Sequence, residues 1–102
     1  MDYKTLASNL GIDEDDFREL VELFVTVTLA ELDKIRQGVA SGSPKDVVAA
    51  SHSIKGAAGN LGFESMAELA NKMEIQAHKG SLGNFNTYIS DFETQVNALT
   101  IS

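Results

Sequence analysis

His52-Ser53-Ile54-Lys55-Gly56-Ala57-Ala58-Gly59-Asn60-Leu61-Gly62-Phe63 reads as the latter part of an amphipathic helix that ends near Gly62. A helix turns about 100° per residue, so side chains three, four and seven positions apart share a face and those two apart lie roughly opposite. Val48, His52, Lys55, Gly56 and Gly59 therefore form one stripe. Val47, Ala50, Ile54, Ala57 with Ala58, and Leu61 recur at core-facing intervals on the other side. Ala50 and Ile54 are each two residues from His52, so the imidazole is expected to point to solvent.

Gly56 and Gly59 stand where the helix should continue, and each costs about 1 kcal/mol relative to alanine there. Two readings offset that cost. The glycines can strip bulk from beside the imidazole, so that a large partner brings its backbone or an anionic group close to a ring nitrogen. Alternatively they permit close packing of another helix, which would crowd His52 and sits poorly with the opposed apolar stripe. Under the first reading Lys55 supplies a mobile ammonium, a point charge suited to a phosphoryl oxygen. Most single helical histidines are inert surface residues. A basic residue and two costly glycines on the same face weigh against that reading here.

His52-Ser53-Ile54-Lys55-Gly56, continued by Ala57-Ala58-Gly59-Asn60-Leu61-Gly62, closely resembles the signature of histidine-containing phosphotransfer (HPt) domains. Glu68-Leu69 and Met73-Glu74 followed by Lys79-Gly80 look like the next helix of that family, and the length and helix count are similar to a free-standing HPt domain. The resemblance implies a phosphorelay protein. His52 would accept a phosphoryl group from a receiver-domain aspartate and pass it to the aspartate of a second receiver, with Lys55 stabilising the group and Gly56 and Gly59 giving access. Its partners would be receiver domains of response regulators and hybrid histidine kinases. The receiver would bring the aspartate and its Mg²⁺, this chain binding no cofactor and having no kinase activity of its own. A glutamine often orients the phosphoryl group or the imidazole from the following helix in that family, and the matching position here is Glu74. A carboxylate can orient an imidazole N–H, yet it repels a phosphoryl group; alternatively Glu74 points to solvent and has no role. Receiver docking calls for a modest apolar patch near His52, and Val48, one turn before it, is the clearest candidate.

Composition bounds these readings. A chain of 102 residues, 43% of them hydrophobic, supports one domain spanning 1–102 with a single core, too small for a kinase with its nucleotide fold. Neither Gly-x-x-x-x-Gly-Lys-Ser/Thr nor Gly-x-Gly-x-x-Gly occurs, so phosphate is expected from another protein. Eight basic and 15 acidic residues leave a net charge of −7, which disfavours nucleic acid and anionic membranes. The absence of cysteine excludes disulfides and thiolate metal sites. Met1-Asp2-Tyr3-Lys4 lacks the apolar core of a signal peptide, and Leu23 to Ala30 is interrupted by threonines and far short of the ~20 residues of a membrane span. A cytoplasmic monomer is the expectation.

The apolar period is helical nearly everywhere. Tyr3, Leu6, Ala7 and Leu10 predict a short helix ending at Gly11. Asp13 to Asp16 open a long second helix, since acidic side chains complement the positive end of the helix dipole, and Phe17, Val21, Phe24, Thr28, Leu32, Ile35 and Val39 form its stripe. Phe24-Val25-Thr26-Val27-Thr28 alternates like a strand, but an isolated strand lacks a pairing partner and the surrounding helical period prevails. After a turn at Ser41-Gly42-Ser43, Ser43 and Pro44 supply a cap and an N1 proline for the third helix. Phe63, Met66, Leu69, Ala70, Met73 and Ala77 define a fourth helix, stopped by Gly80; Phe85, Tyr88, Ile89, Phe92, Val96 and Leu99 define a fifth. The resulting fold class is all-α, an antiparallel four-helix bundle with a short additional N-terminal helix.

Other candidate sites are weaker. Asp13-Glu14-Asp15-Asp16 lacks the glycine and alternating ligands of an EF-hand, so it reads as a solvated helix start and no metal is assigned. His78 lies in the last turn before Gly80, where a partly protonated imidazole favours the negative helix end. Met66 and Met73 read as core filler. Ser51 and Ser53 flank His52, but adjacent helix side chains diverge and form no nucleophile pair with it. Two rival functions remain: a helical interaction module that binds a receiver or histidine kinase without being phosphorylated, and a small metal enzyme using His52 and His78 with nearby carboxylates. No His-x-x-x-His or Glu-x-x-His spacing supports the latter.

Overall fold

The computed structural model describes residues 2–101, with side chains through Leu99. It contains α1 (Tyr3–Leu10), α2 (Glu14–Ser41), α3 (Pro44–Leu61), α4 (Glu64–His78) and α5 (Phe85–Ile101), and no strand among the described residues. Phe24 to Thr28 lies wholly within α2, where the helical period of the flanking residues overrides local strand propensity. Glu14, Asp15 and Asp16 occupy the first turn of α2.

Tight glycine turns set the neighbours. Gly42 and Gly62 adopt φ of 68° and 83°, the left-handed region that disfavours residues with a Cβ. Their N–H groups return to the carbonyls of Gly38 and Val39 and of Ala58 and Gly59, closing the ends of α2 and α3. Pro44 opens α3 as expected, but the side chain of Ser43 makes no capping hydrogen bond. Its backbone N–H instead donates to the Gly38 carbonyl at 2.8 Å.

α3 packs against both α2 and α4, α5 packs against the same two helices, and α1 lies on α2. The shared core holds Phe17, Leu32, Ile35, Val47, Ile54, Met73, Phe85, Phe92 and Val96. Edge-to-face contacts join Tyr3 to Phe17, Phe17 to Phe63 and Phe63 to Phe24, so aromatic packing ties α1 and α2 to the α3–α4 turn. Gln76 staples the loop after α4: its amide donates to the carbonyls of Ser81 and Gly83, and its carbonyl accepts from Tyr88 Oη.

One inward assignment shifts by a position, and four others are less buried than their spacing implies. Gly38, not Val39, is the buried residue near the end of the α2 stripe, while Ala57, Leu69 and Tyr88 are half-buried and Leu10 is exposed. A Cβ on Gly38 would lie 2.8 Å from Val47 Cγ2 and 3.3 Å from the Ser43 carbonyl oxygen. The missing side chain therefore allows the close approach of α2 and α3. Ser51, the residue before exposed His52, is fully buried, and its hydroxyl, like that of Thr28, has no hydrogen-bond partner among the described residues.

Candidate functional site

The core-facing stripe of α3 turns His52 outward: its side chain keeps 67% of its accessible surface. α4 brings Glu74 up to it, because α3 and α4 are joined by the tight turn at Gly62 and Phe63. His52 lies 63 − 52 = 11 residues before Phe63 and Glu74 lies 74 − 63 = 11 after it, so an antiparallel pair sets them level.

His52 Nδ1 is 3.2 Å from Glu74 Oε2 and 3.4 Å from Oε1. Lys55 Nζ is 2.8 Å from Oε1 of the same carboxylate, and His78 Nε2 is 3.9 Å from Oε2. Only 13% of the Glu74 side chain is accessible, so it faces α3 rather than solvent. The hydrogen bond from Lys55 holds the Glu74 carboxyl below its ordinary value; partial desolvation opposes this, and the contact with His52 adds to the lowering. Glu74 thus stays ionised throughout the range in which an imidazole titrates. An ionised carboxylate only accepts hydrogen bonds, so the Nδ1 proton of His52 faces it and the lone pair of the neutral ring is on Nε2. Nε2 has no hydrogen-bond partner among the described residues.

Gly56 and Gly59 lie on the exposed stripe, and a Cβ built on either would meet nothing within 4 Å. No helix packs against them, which removes the close-packing explanation for these glycines. Gly38 has the opposite surroundings. Gly59→Ala should accordingly raise stability by up to about 1 kcal/mol from helix propensity alone. Gly38→Ala should lower it, because the 2.8 Å approach to stiff, branched Val47 turns the same methyl into overpacking, which costs about 1–3 kcal/mol. Urea unfolding of the two variants checks this, and a gain in both would overturn the distinction.

Val48 is half-buried and packs against the core, leaving only part of its side chain on the surface one turn from His52. His78 occupies the last turn of α4, as read from its position, and also reaches toward Glu74. The reading of single helices missed the Lys55–Glu74 ion pair. Its signal was the equal spacing of His52 and Glu74 about the glycine turn, with Lys55 one turn after His52 on the same face. Among the described residues, no group of three or more His, Cys, Asp or Glu side chains is placed to hold a metal ion. No described helix is long and apolar enough to cross a membrane.

On this helical scaffold His52 presents an accessible imidazole with its inner nitrogen on a carboxylate and its outer nitrogen open, an arrangement chemically suited to carrying a transferable group. The family model of the Hpt domain matches residues 19–100, from the first turns of α2 to the end of α5, and the chain belongs to that family. Neither the comparison with curated proteins nor that with solved structures gives a match. Family membership implies phosphotransfer in two-component signalling. Hpt domains interact with receiver domains in phosphorelays and have no kinase activity of their own.

Proposed function

We propose that this chain is a phosphorelay intermediate in which His52 takes a phosphoryl group from one receiver aspartate and delivers it to another. The observation that carries the reading is the exposed imidazole with Nδ1 against Glu74 and open surface at Gly56 and Gly59. In the first transfer Nε2 attacks phosphorus, the Nε2–P bond forms, and the P–O bond to the receiver aspartate breaks to free its carboxylate. The second transfer reverses these events on another aspartate.

Glu74 fixes the tautomer from the far edge of the ring, so the phosphoryl group grows on the nitrogen directed away from the carboxylate. This geometry answers the repulsion expected from a carboxylate at that position. Lys55 neutralises Glu74 at rest, and its flexible stem lets it turn to a phosphoryl oxygen during transfer. The receiver supplies Mg²⁺, which spreads the negative charge of the transition state.

The scaffold for this reading is an antiparallel bundle of α2 to α5, supported by the ring of packing partners and the short glycine turns, with α1 added outside the family match. It is a single domain working as a cytoplasmic monomer. Docking draws on Val48 and on Leu20, Leu23 and Val27, exposed at helical spacing on α2, the helix packed against α3.

Mixing the chain with a panel of pre-phosphorylated receiver domains and Mg²⁺, followed by mass spectrometry under non-acidic conditions, tests the proposal. Phosphate is expected on His52, and Gly56→Leu should slow its appearance at least tenfold by obstructing approach, while helix propensity leaves the fold as stable or up to about 1 kcal/mol more so. If no receiver labels the chain while the same receivers exchange phosphate with a control Hpt domain, the binding-only reading replaces this one.

A further inference from the structure

We infer that Glu74 keeps the proton on Nδ1 of His52 after the ring is phosphorylated, so that the imidazole departs neutral and the phosphoryl group stays transferable. The inference rests on the relay reading above and concerns the state that follows the first transfer. When the neutral ring attacks through Nε2, the Nδ1 proton remains and the product is a phosphorylated imidazolium. Loss of that proton to water would leave a neutral phosphoimidazole, whose later departure as imidazolate is unfavourable. With the proton retained, the Nε2–P bond breaks toward neutral imidazole, the bonding pair returning to Nε2.

The groups around the ring favour retention. From α4, Glu74 meets Nδ1 at 3.2 Å and is shielded enough that water does not readily take its place. From α3 itself, Lys55 binds the other carboxylate oxygen at 2.8 Å, which keeps Glu74 ionised and leaves the proton on the ring. His78, also on α4, stands 3.9 Å from the oxygen that faces His52 and is the other titratable neighbour. No described side chain of α2 or α5 makes an ion pair with any of these four residues. An opposite charge in direct contact favours the protonated ring, whereas a neutral amide in its place accepts the same hydrogen bond without the charge.

Glu74 is on this account a positioning residue, and its effect is read without any receiver. The full chain is phosphorylated with phosphoramidate, a small-molecule donor, and the Nδ1 titration of phosphorylated His52 is followed by ¹H–¹⁵N NMR in the wild type, Glu74→Gln and Glu74→Ala. The midpoint should fall by at least one pH unit in both variants. At pH 8 their transfer to a common receiver should slow about tenfold and recover as the pH is lowered. Equal midpoints in phosphorylated chains that melt as the wild type does would overturn the inference while leaving the relay intact. If phosphoramidate fails to label His52, the relay reading falls and this inference with it. The two variants remove the charge with and without a residual acceptor, so misfolding of one leaves the other decisive.

Discussion

His52→Ala is expected to reduce phosphate transfer from every phosphorylated receiver below detection while leaving unfolding almost unchanged. The chemical loss is complete because no other described side chain offers an imidazole in the same place. His78 lies on α4 beyond Glu74, and its nearest approach to the site is the 3.9 Å contact with that carboxylate. The structural loss is small: His52 is mostly exposed, and Glu74 keeps its shorter contact to Lys55 when the ring is removed. Substitutions at such positions usually change stability by no more than about 0.5 kcal/mol. Radiolabel transfer and urea unfolding on the same preparation check both halves. Labelling of the variant at the wild-type rate would refute the assignment of the accepting residue.

Phe17→Ala should have the largest effect on stability and leave the chemistry of the folded molecules intact. Phe17 is fully buried and meets Tyr3 of α1 and Phe63 at the α3–α4 turn edge-on, at 5.7 and 6.1 Å between ring centres. Truncating a buried phenylalanine costs about 3–5 kcal/mol through lost transfer energy and the cavity left behind. That is a large fraction of the roughly 5–15 kcal/mol that stabilises a domain of this kind. For a domain near this size each kcal/mol lowers the melting temperature by about 4–8 °C, so a fall of roughly 12 °C or more is expected. At low temperature, transfer per folded molecule should persist, because no edge contact of Phe17 involves His52 or Glu74. A stability loss under about 1 kcal/mol would show that this aromatic chain does not anchor α1.

The contrast between these substitutions follows from the opposed faces of helices. The apolar spacing of α2, α3 and α5 placed Phe17, Ile54 and Phe92 inside, and the same 100° step placed His52 outside. Where that reading slipped, the cause was contact between helices. Val39 has the hydrophobicity of a core residue, yet Gly38 takes the buried position because α3 approaches too closely for a side chain. Ser51 looked like a polar neighbour of His52 and is buried by α3's packing with α2 and α4. Ser43 occupied its predicted cap position without making the cap hydrogen bond, its backbone being drawn to Gly38 instead.

The order of residues alone specified the five helices, the glycine turns and the outward stripe of His52, Lys55, Gly56 and Gly59, since each depends on residues within a few positions of one another. It also specified the family, through the local spacing around His52. Helix packing was needed to show that Glu74 faces His52, that Lys55 rests on the same carboxylate, and that Gly56 and Gly59 border open space while Gly38 borders Val47. The physical reason is range. Helical periodicity fixes directions about one axis, whereas a hydrogen bond or a clash requires distances between two axes, and those are set by the packing of whole helices against each other.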